Sequence, residues 1–189
     1  WVAPAGGTTP IFGTNPMGFA WPRAGNNPIV IDMATASMAM GEVMIAARDG
    51  HEVPLGTGLS TSGELTTDAA EIVKGVLLPF GGHKGSAIAL MVELLSGPMV
   101  GETFSYETQA NDNAEEGPAR GGQFILAMSP NILSGKNSNN QTDRFFEKYD
   151  AIKGARLPGA RRHKNREDKG PRAVNAALIK TIKQFRDNN

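Results

Sequence analysis

The stretch Pro79-Phe80-Gly81-Gly82-His83-Lys84-Gly85-Ser86 constrains this chain more than any other. It follows an apolar run, Val76-Leu77-Leu78, and leads into a pattern in which Ala87, Ile88, Leu90, Met91, Leu94 and Leu95 recur at helical spacing. The chain must therefore turn here from extended backbone into a helix. Adjacent glycines let the backbone approach a ligand closely, and a helix N-terminus offers free N–H groups to anions. His83 and Lys84 add two donors at the same point. Two readings stay open: a cradle for a phosphate or carboxylate, or a loop-to-helix turn whose His and Lys face water.

Upstream, Met17 to Trp21 and Pro28 to Met33 read as two short strands around a Pro22–Asn27 turn. Ile29 to Ile31 is continuously apolar, as in a strand covered on both faces, and it ends on a lone carboxylate, Asp32. Ser37 to Arg48 reads as a helix with Gly50 as its C-cap. Gly41 inside that helix is either a point of close approach or a tolerated glycine. Gly50 to Gly63 reads as an irregular loop. Its Gly56-Thr57-Gly58 lacks the third glycine of a dinucleotide fingerprint, and Lys84 is followed by Gly85 rather than Ser or Thr, so Rossmann and Walker A patterns both fail. Thr67 is read as the cap of a helix running through Val76, and the helix after the glycine turn stops at Gly97-Pro98.

The remainder is less regular. Residues 107–122 are acidic and glycine-rich, a surface excursion; Gln123 to Ser129 reads as a strand; Gly135 to Thr142 reads as a mobile loop. Val174, Ala177, Leu178, Ile182 and Phe185 form an apolar stripe on a C-terminal helix. Between 161 and 172 lie Arg161, Arg162, Lys164, Arg166, Lys169 and Arg172, opposed only by Glu167 and Asp168. This run is either a solvated basic face or an anion clamp, since the Arg fork suits phosphate.

Composition narrows the function classes. The formal net charge of zero argues against a surface built for nucleic acid or anionic membrane. With no cysteine there is no disulfide framework, thiol nucleophile or cysteine metal site, and no metal ligands are assigned. Neither a membrane-length apolar run nor a signal-peptide pattern is present, so a cytoplasmic protein is expected. A chain opening Trp1-Val2-Ala3-Pro4 without an initiator Met reads as the interior of a longer polypeptide.

Six phrases, in order and spanning nearly the whole chain, resemble the malate/L-lactate dehydrogenase-like oxidoreductases. They are Gly13-Thr14-Asn15-Pro16, Ile31-Asp32-Met33-Ala34-Thr35, Pro54-Leu55-Gly56, Thr66-Thr67-Asp68, Leu78 to Ser86, and Arg156-Leu157-Pro158-Gly159 with Arg161-Arg162. The wording of Ala46 to Gly58 is most similar to the branch that reduces cyclic imino acids. The resemblance implies an α/β fold with a mixed sheet flanked by helices, a non-Rossmann nicotinamide site, and a homodimer. It divides the chain into a main cofactor-binding part, 1–150, and a C-terminal segment, 151–189, that returns to the cofactor.

By the same resemblance, the reaction is reduction of Δ1-piperideine-2-carboxylate to L-pipecolate and of Δ1-pyrroline-2-carboxylate to L-proline, with NADPH. Other branches oxidise malate, lactate, sulfolactate or ureidoglycolate, generally with NAD(H), and a truncated nucleotide-binding or dimer-forming protein is a third reading. Thr14 is expected to contact the substrate. Asp32, Met33, Ala34, His83 and Lys84 are expected to line the cofactor, and Gly159, Ala160, Arg161, Arg162, His163, Lys164 and Asn165 to wrap its nucleotide. The basic members of that last group are expected at the 2′-phosphate of NADPH. Glu42 falls where the family's Ser–His–acid relay has its acid, usually Asp, and is either that residue or a solvent-facing helix Glu. The family's catalytic His, its Ser partner and the substrate-clamping Arg are expected before Trp1; His51 is expected to be structural or exposed.

Overall fold

Met17–Trp21 (β1) and Ile29–Met33 (β2) pair antiparallel, with Met17 opposite Met33 and Trp21 opposite Ile29. The computed structural model that contains them describes residues 1–111, 121–134 and 138–187. The turn between them holds Pro22, Gly25, Asn26 and Asn27, residues that suit a chain reversal. Only Ile29 of β2 is buried, so this strand is covered less completely than its apolar run suggested.

A second sheet has the order β4-β3-β5, built from Gly58–Leu59 (β3), Leu65–Thr66 (β4) and Val76–Leu77 (β5), all antiparallel. Val2 adds a parallel bridge to Leu77 and an antiparallel one to Phe12, which makes the sheet mixed. Part of the stretch read as an irregular loop is thus a buried strand, β3.

Met40–Asp49 (α1) and Ala69–Lys74 (α2) pack on this sheet around Val2, Phe12, Val43, Val53, Ile72 and Leu77. Helix α1 starts later than Ser37 because Ser37 is held extended: its N–H donates to Leu78 O at 2.8 Å and its Oγ to Thr57 O at 2.8 Å. Gly50 ends α1 in the left-handed region, as the C-cap reading expected. A Cβ placed on Gly41, in the first turn, would meet nothing within 4 Å among the described residues outside its own helix backbone. The cap of α2 is Asp68 rather than Thr67. Its carboxylate accepts from Ala70 N and Glu71 N, where negative charge also suits the helix dipole, while Thr67 donates to Glu52. Helix α2 ends at Lys74, and Val76 belongs to β5.

His83–Ser96 (α3) follows the glycine turn and is capped by Gly97. Beyond it lie a short 3-10 turn, Pro98–Val100, then Ser105–Asn111 (α4), Pro130–Ser134 (α5), Ser138–Asp150 (α6), Ala160–Glu167 (α7) and Ala176–Asp187 (α8). The excursion read at 107–122 falls outside the described residues over 112–120. Gln123 to Ser129 forms no strand: it is exposed and has no ladder partner among the described residues, so its apolar side chains fill no core. The loop reading of Gly135 to Thr142 also gives way, because Ser138 to Thr142 belong to α6, while 135–137 lie outside the described residues. Helix α6 is anchored by Phe146, whose ring lies 4.5 Å from the Arg23 guanidinium; Arg23 also pairs with Asp150 at 3.4 Å. These contacts bring α6 back to the β1–β2 turn. Helix α8 is capped by Asn175, so Val174 precedes it, and Leu178, Ile182 and Phe185 are exposed.

Candidate functional site

The glycine turn is set by a backbone bridge. Phe80 N donates to Thr35 O at 3.0 Å and Ala36 pairs with Pro79, so 35–37 runs antiparallel to 78–80. Ala34, Met33 and Asp32 therefore lead away from the same end of this bridge at which Gly81, Gly82, His83 and Lys84 begin. His83 and Lys84 stand exposed at the start of α3. Gly85 is buried behind them, and a Cβ there would collide with the Phe80 carbonyl oxygen. The glycine is what lets the helix start this close to the turn.

The C-terminal basic segment reaches β2. Gly159 has φ 82, and a Cβ on it would lie 3.0 Å from Val30 O. His163 Nε2 lies 3.0 Å from the Pro28 carbonyl, and since a carbonyl only accepts, that ring nitrogen is the donor. Arg162 Nη2 donates to Asp32 Oδ2 at 2.8 Å. Ala160, His163 and Lys164 border a pocket of about 280 Å³ together with Arg23 and Asn27. Arg161, Lys164 and Asn165 are exposed, and the Asn165 carbonyl accepts from Arg172.

Thr14 borders a different, larger cleft of about 880 Å³, walled mainly by apolar residues such as Met17, Phe19, Met91 and Phe124. Thr35 holds Thr14 in place: its N–H and Oγ donate to Thr14 O at 2.9 and 3.0 Å. Behind Thr14, buried Asn15 takes φ 43 and donates to Ala89 O and Glu93 Oε1. Glu93 also accepts from Gly13 N and Ser105 N. Thr35, Asn15 and Glu93 escaped the sequence reading as site residues. The available signals were an Asn, which tolerates left-handed backbone, and a single carboxylate inside the apolar run Ala87 to Leu95.

The structure thus joins Asp32 to the 159–165 segment and sets Met33, Ala34, His83 and Lys84 about one bridge end, with Thr14 on the larger apolar cleft and tied to that bridge through Thr35. Glu42 stands exposed in the first turn of α1, two residues beyond Met40, which borders that cleft. His51 is exposed just past α1. Among the described residues, no cluster of three His, Cys, Asp or Glu could hold a metal, and no helix is long and apolar enough to cross a membrane. A nicotinamide dinucleotide fits the residues present. Exposed cations stand beside two glycine turns, His83 and Lys84 after Gly81-Gly82 and Arg161, Arg162 and Lys164 after Gly159, and cations and helix N–H groups are the donors that phosphate groups take.

The sequence profile described as malate/L-lactate dehydrogenase matches residues 1–183. Over 169 residues, 88% of this chain and 51% of the relative, the sequence is 46% identical to a Δ1-pyrroline-2-carboxylate/Δ1-piperideine-2-carboxylate reductase of Pseudomonas aeruginosa. It is 43% identical, over 88% of this chain and 50% of the relative, to a Δ1-pyrroline-2-carboxylate reductase of Ancylobacter novellus. The crystal structure of Δ1-piperideine-2-carboxylate reductase from Pseudomonas syringae pv. tomato superposes with a TM-score of 0.81 at 35% identity, over 97% of this chain and 56% of that one. The chain spans about half the length of the curated relatives it matches. With its fold and its sequence both matched over nearly its whole length, the chain belongs to the malate/L-lactate dehydrogenase family.

Proposed function

We propose that this chain supplies the cofactor side of an NADPH-dependent reductase of cyclic imino acids, acting on Δ1-pyrroline-2-carboxylate and Δ1-piperideine-2-carboxylate. The observation that carries this reading is the 46% identity to a relative named for both substrates. The arrangement of Asp32, Arg162, His83 and Lys84 supports a nucleotide as the ligand.

Reduction of the C=N bond adds hydride to carbon and a proton to nitrogen. The bound cofactor supplies the hydride. His83, Lys84 and the N–H groups opening α3 hold an anionic group of that cofactor. Asp32, Met33 and Ala34 line it, and the 151–189 segment returns to it, with Gly159 to Asn165 wrapping the nucleotide. Arg161, Arg162 and Lys164 face the 2′-phosphate, while His163 keeps α7 docked through Pro28. Thr14, held by Thr35, meets the substrate in the apolar cleft. Glu42 orients the proton-donating relay. A protonated imine is the better hydride acceptor, so the rate should follow the protonation state of that relay. The same reading includes a homodimer in the cytoplasm, supported by the apolar side chains that α8 leaves exposed.

The decisive assay follows NADPH absorbance with the two cyclic imines, running NADH, pyruvate and oxaloacetate beside them and light scattering for mass. Turnover of the imines with NADPH by a dimer is expected. Turnover of the oxo acids alone, with NADH, would replace this reading with an NAD-dependent 2-hydroxy acid dehydrogenase of the malate or lactate type.

A further inference from the structure

Asp32 lies near the end of β2 and Arg162 in the first turn of α7, 130 residues later, and their side chains meet at 2.8 Å. Both stay more than half exposed, Arg162 at 53% and Asp32 at 57%. An ion pair this open to water is weak, so Arg162 can leave it for a stronger acceptor. A phosphate monoester is such an acceptor, because it carries up to two charges and matches the guanidinium fork with two oxygens. Asp32 has the opposite preference. Its carboxylate accepts a hydrogen bond from a free ribose hydroxyl but repels a phosphate in the same place.

The rest of the junction does not depend on this pair. Gly159 rests on Val30, and His163 is bonded to Pro28, so α7 stays docked on β2 when Arg162 swings away. The side chains can therefore exchange partners without moving the helix.

We propose that Asp32 and Arg162 form a nucleotide-selecting pair: Arg162 leaves Asp32 for the 2′-phosphate of NADPH, and Asp32 takes the ribose 2′-hydroxyl of NADH. This role rests on the cofactor reading above and deepens it. Asp32 then acts as a built-in competitor that limits how strongly the site prefers NADPH, and Arg162 is the one of the facing cations whose contribution to that preference Asp32 holds in check.

Dissociation constants for NADPH and NADH, measured by calorimetry on the 189-residue chain, test the pair without relying on turnover. Asp32→Asn is expected to tighten NADPH and loosen NADH, moving their ratio about tenfold; Arg162→Ala should weaken NADPH about tenfold and leave NADH within about twofold. Arg162→Lys keeps the charge but not the fork and should restore part of the NADPH affinity. Arg48→Ala, which removes an exposed cation at the end of α1, should change neither constant. Melting curves establish that each variant is folded. An unchanged NADPH-to-NADH ratio in folded Asp32→Asn and Arg162→Ala proteins overturns the selecting pair and leaves the cofactor reading standing. Failure of the wild-type chain to bind either nucleotide overturns both.

Discussion

The Asn15 side-chain amide donates to the Glu93 carboxylate at 2.7 Å, and both residues are 6% exposed. This bond ties the loop that carries Thr14 to the last turn of α3, 78 residues away. A buried carboxylate is tolerable only when partners satisfy it, and Asn15, Gly13 and Ser105 supply hydrogen bonds to this one.

Asn15→Ala should therefore destabilise the chain by about 1–3 kcal/mol, because it leaves Glu93 short of a donor. Asn15→Gly loses the same bonds but relieves the φ 43 backbone, so it should cost about 1 kcal/mol less. Urea midpoints at constant slope measure both. A glycine variant weaker than the alanine variant would show that backbone strain plays no part.

Ile72 is fully buried in α2 beneath the three-stranded sheet. Ile72→Ala should cost about 2–5 kcal/mol, since the site can only partly collapse around the lost atoms. The adjacent Val73 is 39% exposed, and Val73→Ala should change stability by no more than about 0.5 kcal/mol. Equal losses in the two variants would show that the core does not centre where the packing places it.

Gly85 and Gly81 separate close approach from backbone strain. Gly85→Ala drives a methyl into the Phe80 carbonyl, whose residue is itself bonded through its N–H to Thr35, and should cost about 1–3 kcal/mol. It should also weaken NADPH binding by displacing the start of α3. At Gly81 a Cβ meets nothing, so Gly81→Ala meets only the φ 57 penalty of about 1 kcal/mol. Thermal melts with and without NADPH distinguish the two.

Asp49 accepts hydrogen bonds from Arg48 at 2.7 and 2.9 Å, and this holds its carboxyl below the usual value. A depressed carboxyl contributes stability above its unfolded pKa and loses that contribution as pH falls through the folded one. Carboxyl titration by NMR should find the Asp49 midpoint below 3.8, the ordinary value, and Arg48→Ala should raise it. Because both side chains face water, the same substitution should leave the melting temperature near neutral pH almost unchanged.

Features that depend on near neighbours were legible in the residues. The β1–β2 hairpin followed from two apolar runs around Pro, Gly and Asn. The start of α3 followed from Gly81-Gly82 and the helical spacing after it, and the C-cap of α1 from Gly50. Conflicting local signals were harder to resolve. Thr67 and Asp68 both suit a helix cap, and only the extended bond between Val53 N and Thr67 O set Thr67 outside the helix. Gln123 to Ser129 has the composition of a strand but no neighbour to pair with among the described residues. Ser138 to Thr142 looks like a loop by composition, yet it continues into the aromatic face of α6 that Arg23 holds.

The candidate site divides in the same way. Residue types and spacing alone singled out the glycine turn at His83 and Lys84 as either an anion cradle or a water-facing turn, together with the lone carboxylate Asp32 and the basic run around Arg162, because a side chain's chemistry needs no fold to be read. Their assembly was decided by tertiary structure. Arg162 meets Asp32 only because Gly159 lets α7 lie on β2, and Glu93 finds its donors only when α3 crosses behind Thr14. Backbone preference and helical period act over a few residues, whereas these contacts join positions 130 and 78 residues apart, and burial against the rest of the chain chooses them.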